Sequence, residues 1–189
     1  VHDAAEPVRQ PQLIDQIFCY CESPGALPGL FRMGTRVSDL DLAIRPAAPA
    51  DLPAITGIYA DAVATGTASF ELTPPDEAEM SRRMAGLLDG GFPYLVAESA
   101  GAIVGYAYAG AYRPRPAYRF TVEDSVYIAR SAQGKGVGRA LLAALIAEAE
   151  AHGFRQMISV IGDVASAGSI ALHKALGFEH VGTFKAVGW

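Results

Sequence analysis

The run Gln133-Gly-Lys-Gly-Val-Gly138 is the part of this sequence whose residue types and spacing most directly suggest chemistry. Glycines at 134, 136 and 138 let the main chain approach a ligand closely and leave successive N–H groups free to donate. The run sits between an alternating segment and a long segment with an apolar stripe, so it joins a strand to a helix. The positive end of that helix falls at the same point, which suits the loop to a pyrophosphate. Val137 lies within the run, and Lys135 and Arg139 place charge at its rim. Rival glycine loops fit less well. A nucleotide P-loop needs Gly-Lys followed by Ser or Thr, whereas Lys135 is followed by Gly136. The dinucleotide fingerprint needs a third glycine where Arg139 stands. A glycine-rich turn that binds nothing is the remaining alternative.

Titratable and cationic side chains supply the other candidates. Strand alternation groups Glu123 with Ser125 and Tyr127, away from the apolar Val126 face. Asp124 falls on the opposite face and reads as a solvated strand-edge carboxylate. His173 is a single histidine in a helix, for which a structural and a catalytic role both stay open. Arg113, Pro114, Arg115 and Arg119 belong to a basic-aromatic loop, Tyr112 to Phe120. Guanidinium groups bind planar and tetrahedral oxyanions well, and an exposed solubilising loop is the alternative. Phe70 and Tyr118 can wall a pocket or belong to a core. Cys19 and Cys21 are one residue apart, unsuited to a mutual disulfide and two ligands short of a zinc site, so no metal is expected.

The elements that must hold these residues follow from periodicity. Residues 1–40 carry Pro7, Pro11, Pro24, Pro28 and several glycines without a sustained period, and read as a partly flexible extension. Within it, Leu13 to Tyr20 suggests a short helix. A domain over 41–189 opens with a strand at Leu42–Arg45, ended by Pro46. Asp51 is placed to cap a helix with Leu52, Ile55, Ile58, Tyr59 and Val63 on one face. Thr73-Pro-Pro-Asp76 opens a second helix, with Met80, Met84, Leu87 and Leu88 on one face. Strands at Tyr94–Glu98 and Ile103–Tyr108 form a hairpin around Gly101. A central strand spans Thr121–Ala129. A long helix then carries Val137, Leu141, Leu142, Leu145, Ile146 and Ala149. Met157–Ile161, Ser169–Leu176 and Phe178–Thr183 complete a β-α-α-β-β-β-α-β-α-β order, an α/β mixed sheet covered by helices.

Composition bounds the function. With 189 residues, 51% of them hydrophobic, the chain can bury one core. A net charge of -5 disfavours nucleic-acid binding, which needs a basic stripe. Backbone donors can still hold an anionic small ligand. No apolar run reaches the ~20 residues of a membrane-spanning helix, and the acidic, polar start lacks a signal-peptide pattern. No membrane partner is expected, and a cytoplasmic setting is the expectation.

Gln-x-x-Gly-x-Gly between a Val-Tyr-Ile strand and a long helix resembles the cofactor motif of the GNAT superfamily of N-acetyltransferases. Ile58-Tyr-Ala-Asp-Ala-Val63, Tyr106-Ala-Tyr-Ala-Gly110, Thr121-Val-Glu-Asp-Ser-Val-Tyr127 and Ile170-Ala-Leu-His-Lys-Ala-Leu-Gly-Phe178 look like its phosphinothricin and methionine sulfoximine N-acetyltransferases. The resemblance implies a mostly antiparallel sheet with a V-shaped splay and about four helices. It also implies acetyl-CoA as co-substrate. Val126, Tyr127 and Ile128 would contact pantetheine, Gln133 to Arg139 the pyrophosphate region, and Ser166 and Ser169 would add contacts. Relatives commonly carry Asn where Ser166 stands, and serine is shorter. Acetyl transfer to an α-amino group needs a base, for which Glu123 is the first candidate and His173 the second, acting as a Glu123–His173 pair or as Glu123 alone. Phe70, Arg113, Pro114, Arg115, Tyr118, Glu123 and Ser125 would line the acceptor side. With no cysteine after residue 41, direct attack in a ternary complex is favoured over an acyl-cysteine route. Other amines (polyamine, aminoglycoside or protein N-terminus) and a non-catalytic acyl-CoA-binding role are the alternatives. The family also implies a homodimer, and a further C-terminal strand beyond Trp189.

Overall fold

The computed structural model describes residues 14–22, 41–66, 69–162 and 166–188. Residues 1–13 and 23–40 of the expected extension lie outside the described residues, as does Trp189. Chain order runs β1 (Ile14–Glu22), β2 (Leu42–Pro46), α1 (Leu52–Thr65), α2 (Glu77–Asp89), β3 (Tyr94–Ser99) and β4 (Ala102–Ala111). There follow β5 (Thr121–Ile128), α3 (Val137–Ala151), β6 (Gln156–Ile161), α4 (Ala167–Ala175) and β7 (Glu179–Gly188). From β2 onward this is the order read from periodicity.

The described strands form one seven-stranded sheet, ordered β2-β3-β4-β5-β6-β1-β7. Strands β2 to β5 are antiparallel neighbours, and β5 meets β6 in parallel. The expected helix at Leu13 to Tyr20 is corrected: Ile14–Glu22 is a strand, antiparallel to β6 on one side and to β7 on the other. Apolar residues at 14, 17 and 18 suit a helical period, but both backbone edges of the segment are hydrogen-bonded in the sheet. Tertiary pairing overrides the local pattern.

Local chemistry sets the boundaries. The β3–β4 turn places Ala100 and Gly101 at φ 49 and 78, the doubly positive geometry that matches a tight hairpin's twist. Asp76 caps α2 by accepting from Glu79 N–H at 2.8 Å. Asp51, by contrast, makes no side-chain cap to α1. Its carboxylate instead takes two bonds from Arg45, each 2.8 Å, and one from Ala48 N–H. That pairing explains how an acid can be buried there. Leu88 of α2 is also exposed rather than inward.

Each sheet face has its own core. Leu141, Leu142 and Leu145 of α3 are fully buried against Ala107, Val122 and Met157, each leucine worth about 1.5–3 kcal/mol. On the other face Ile55, Met80 and Met84 pack on Tyr59, Tyr94 and Tyr106. Gly105 lets α3 close down on β4, since a Cβ there would stand 2.8 Å from Ile128 Cδ1 and 3.1 Å from Leu141 Cδ1.

Candidate active site

Strands β5 and β6 are in register only from Thr121↔Gln156 to Asp124↔Ser159. Beyond that rung they part, although β5 stays paired with β4 as far as Ile128. The backbone of Ser125 to Ile128 thus offers an edge with no strand partner toward β6 among the described residues. This is the V-shaped opening the resemblance implies. A cavity of about 270 Å³ fills it. Its walls include Glu123 to Tyr127 of β5, Ser159 to Ile161 of β6, Ser166, and Ser169 and His173 of α4. Ser69 and Phe70 close the side toward α1. Tyr59 anchors that stretch, with its hydroxyl 2.9 Å from both Ser69 Oγ and Glu71 Oε1.

At the last shared rung stands the most buried polar cluster among the described residues. His173 Nε2 lies 3.0 Å from Asp124 Oδ2 and 2.9 Å from Ser159 Oγ. Its Nδ1–H donates to the Ser169 carbonyl at 2.7 Å, and the Phe178 ring packs edge-on to the imidazole. Asp124, Ser159 and His173 are 6%, 3% and 3% exposed. Two readings are corrected here. Asp124 is not a solvated edge carboxylate, and the carboxylate that His173 pairs with is Asp124 rather than Glu123. Asp124 shares its strand face with Val122, which is fully buried. A charge on that face must be paired. This was the available signal that sequence reasoning passed over. Burial lowers the affinity of the imidazole for a proton, but the Asp124 hydrogen bond and charge and the Ser169 carbonyl outweigh it and leave its pKa raised.

Glu123 is half-buried on the neighbouring wall. Burial pushes its carboxyl above the ordinary range and the Asp124 charge adds to this, while Arg113 opposes both. A carboxylate with increased proton affinity at an open cleft is suited to removing a proton. Ser125 stands opposite Tyr108 across the β4–β5 pairing. The Tyr127 ring itself packs on Tyr59 and Tyr106, with centroids 5.0 and 5.1 Å apart.

The glycine loop follows β5 directly. Gly134 and Gly136 have φ of 72 and 83, the left-handed region that disfavours a side chain. The first helical bond of α3 runs from Ala140 N to Gly136 O, so the N–H groups of Val137, Gly138 and Arg139 have no intrahelical acceptor. Gly138 serves a different end: it lies inside α3, and a Cβ there would stand 3.3 Å from Leu172 Cδ2. The Gln133 side chain ties the loop back to β5, donating to the Ile128 carbonyl at 3.2 Å. Lys135 and Arg139 are exposed. Open β5 edge, left-handed glycines and helix N–H groups without intrahelical acceptors fit an extended ligand with a pyrophosphate.

The basic loop lies apart from the cavity walls. Arg113, Pro114, Arg115 and Tyr118 are exposed and none lines the cavity. The Arg113 guanidinium sits 5.1 Å over the Tyr112 ring, and Tyr118 packs edge-on to the same ring. Arg119 stacks on Phe120 at 4.4 Å. Among the described residues no cluster of His, Cys, Asp and Glu could hold a metal, and no helix is long and apolar enough to cross a membrane.

A model of the acetyltransferase (GNAT) family matches residues 56–178, spanning the cleft, the loop and α4. The chain belongs to the GNAT acetyltransferase family. This GNAT chain is 54% identical over 158 residues to the phosphinothricin N-acetyltransferase of Alcaligenes faecalis, covering 84% of this chain and 80% of that one. It is 43% identical to the L-methionine sulfoximine/L-methionine sulfone acetyltransferase of Pseudomonas paraeruginosa, covering 79% and 87%. In three dimensions it matches a GNAT superfamily phosphinothricin acetyltransferase from Sinorhizobium meliloti, solved in complex with AcCoA. The TM-score is 0.76 and the identity 53%, covering 78% of this chain and 80% of that one. The fold and the N-acetyltransferase class expected from the motifs both stand.

Proposed function

We propose that this GNAT enzyme transfers the acetyl group of acetyl-CoA to the α-amino group of a small amino acid bearing a phosphinate or sulfoximine head. One observation carries the reading: the half-buried Glu123, its proton affinity raised, lies on the cavity wall where β5 leaves β6. The identity with enzymes named for these two acceptors supports the acceptor class. In this reading acetyl-CoA supplies the thioester. The N–H groups at the α3 N-terminus hold its pyrophosphate, and the β5 edge over Val126 to Ile128 aligns its pantetheine. Ser166 and Ser169 flank it. Glu123 takes one proton from the substrate ammonium, directly or through water. The freed lone pair forms the N–C bond, the C–S bond breaks with its electrons on sulfur, and nitrogen's second proton neutralises the thiolate. No cysteine follows residue 41, so the amine attacks directly in a ternary complex. Arg113 attracts the anionic head through its long-range field on the Glu123 side.

The test is thiol release with phosphinothricin, methionine sulfoximine, a polyamine, an aminoglycoside and a peptide N-terminus at fixed acetyl-CoA. Preferred turnover of the first two supports the reading. Preference for a cationic amine overturns the acceptor class, and CoA binding without turnover of any amine overturns the enzyme role. A homodimer in the cytoplasm belongs to the same reading, and sedimentation of the purified chain checks the dimer.

A further inference from the structure

The charged groups on the cavity wall are Glu123, Asp124 and His173. They comprise two adjacent carboxylates and one imidazole, so the location of the protons decides which group can act. Geometry fixes the imidazole first. Both of its nitrogens face oxygen acceptors: Nδ1 faces the Ser169 carbonyl at 2.7 Å, and Nε2 faces Asp124 Oδ2 at 3.0 Å. A carbonyl cannot donate, so Nδ1 carries a proton. A carboxyl is intrinsically about 2.6 pK units more acidic than an imidazole, so the proton between Asp124 and Nε2 belongs on nitrogen. The remaining neighbours do not reverse this. Ser159 Oγ, 2.9 Å from Nε2, and Ser169 Oγ, 3.4 Å from Nδ1, can each accept from the ring, and Phe178 presents only a ring edge.

We propose that Asp124 is a positioning residue for acetyl transfer: it holds His173 as an imidazolium at the last β5–β6 rung, leaving Glu123 as the group that takes the ammonium proton. This rests on the acetyltransferase reading above, and it divides the work of the two carboxylates. Asp124 is neutralised by the ring and offers no free base. Glu123, on the opposite strand face, has no hydrogen-bond partner among the described residues and keeps the share of its proton affinity that burial gives it. His173 is then a fixed cation rather than a second base, and Ser159 is held as an acceptor of its Nε2–H. The second Asp124 oxygen, Oδ1, has no hydrogen-bond partner among the described residues. The whole of its described pairing therefore goes to the ring.

The experiment is nitrogen NMR of the full chain with labelled histidine, the His173 signals being identified by their loss in His173→Gln. At about pH 7.5, one unit above the ordinary imidazole value of ~6.5, both ring nitrogens of His173 should report protons. A singly protonated ring in the wild type overturns the proposal, whatever the variants do. Asp124→Asn should return the ring to one proton at that pH. It should lower kcat about 10- to 100-fold, the usual cost of losing the partner that orients a functional imidazole, with the acetyl-CoA KM within about twofold. An Asn variant that keeps kcat and the pH–rate profile also overturns it. If the Asn variant does not fold, the wild-type spectrum decides alone. Full activity in Glu123→Gln sinks the base assignment while leaving the Asp124–His173 pair intact, so the two failures are distinguishable.

Discussion

The loop at Gln133–Arg139 and the wall at Glu123, Asp124 and His173 serve one cleft by opposite means. The loop is exposed from Gln133 to Gly136 before Val137 turns into the core, its residues are consecutive, and what it offers is backbone N–H groups shaped by two left-handed glycines. The wall is buried at Asp124 and His173 and half-buried at Glu123, and with Ser159 its side chains come from β5, β6 and α4, with partners separated by 14 and 49 residues. A site built from backbone tolerates changes of side chain that leave the backbone path alone. A site built from side chains tolerates almost none.

That contrast can be broken experimentally, and the wall should give way first. Glu123→Gln is expected to lower kcat about 10²–10⁴-fold, the usual worth of a general base, with acetyl-CoA binding by calorimetry unchanged. Equal losses of turnover and of CoA binding would merge the two regions into one. Its acid limb sharpens the same point: the pH–rate profile should fall at a pH above the ordinary carboxylate value of 4.5, because Glu123 is raised. That limb should vanish in the glutamine variant.

Gly136→Ala should come next, through the loop alone. Forcing a Cβ into φ 83 costs about 1–2 kcal/mol, read as a raised acetyl-CoA KM with kcat nearly kept. Stability offers a milder test of the wall. The folded His173 pKa lies above its ordinary 6.5, so the Asp124 pair contributes fully below that value. The contribution is lost as pH rises through the folded pKa. Thermal melts of the wild type should therefore decline over that range more than those of Asp124→Asn. The smallest effect belongs to Lys135→Ala: an exposed rim charge is worth about 0–1 kcal/mol, so KM for acetyl-CoA should rise fivefold at most, and less in high salt.

The same contrast explains what was legible in the sequence. The loop could be read because everything that defines it is local: glycine spacing, the strand before it and the apolar stripe of Val137, Leu141 and Leu145 after it. Helices α1 to α4 and strands β2 to β7 were legible from their periods for similar reasons. Glu123 could be placed by alternation. Asp124 could not be assigned its partner, because nothing near it in sequence announces a histidine 49 positions on. Its company on the Val122 face did carry a warning that it must be neutralised. Strand β1 was the least legible element. Its pairing, Ile17 with Ile161 and with Thr183, depends wholly on distant chain.

Gly138 gives the two regions a mechanical connection. It is the second residue of α3, and a Cβ there would meet Leu172 of α4 at 3.3 Å. The residue after Leu172 is His173. The start of α3 and the helix that carries the imidazole therefore meet through the Leu172 side chain, which a side chain at position 138 would press upon. The absence of a side chain at Gly138 thus sets how near the glycine loop's helix can stand to the helix that carries His173.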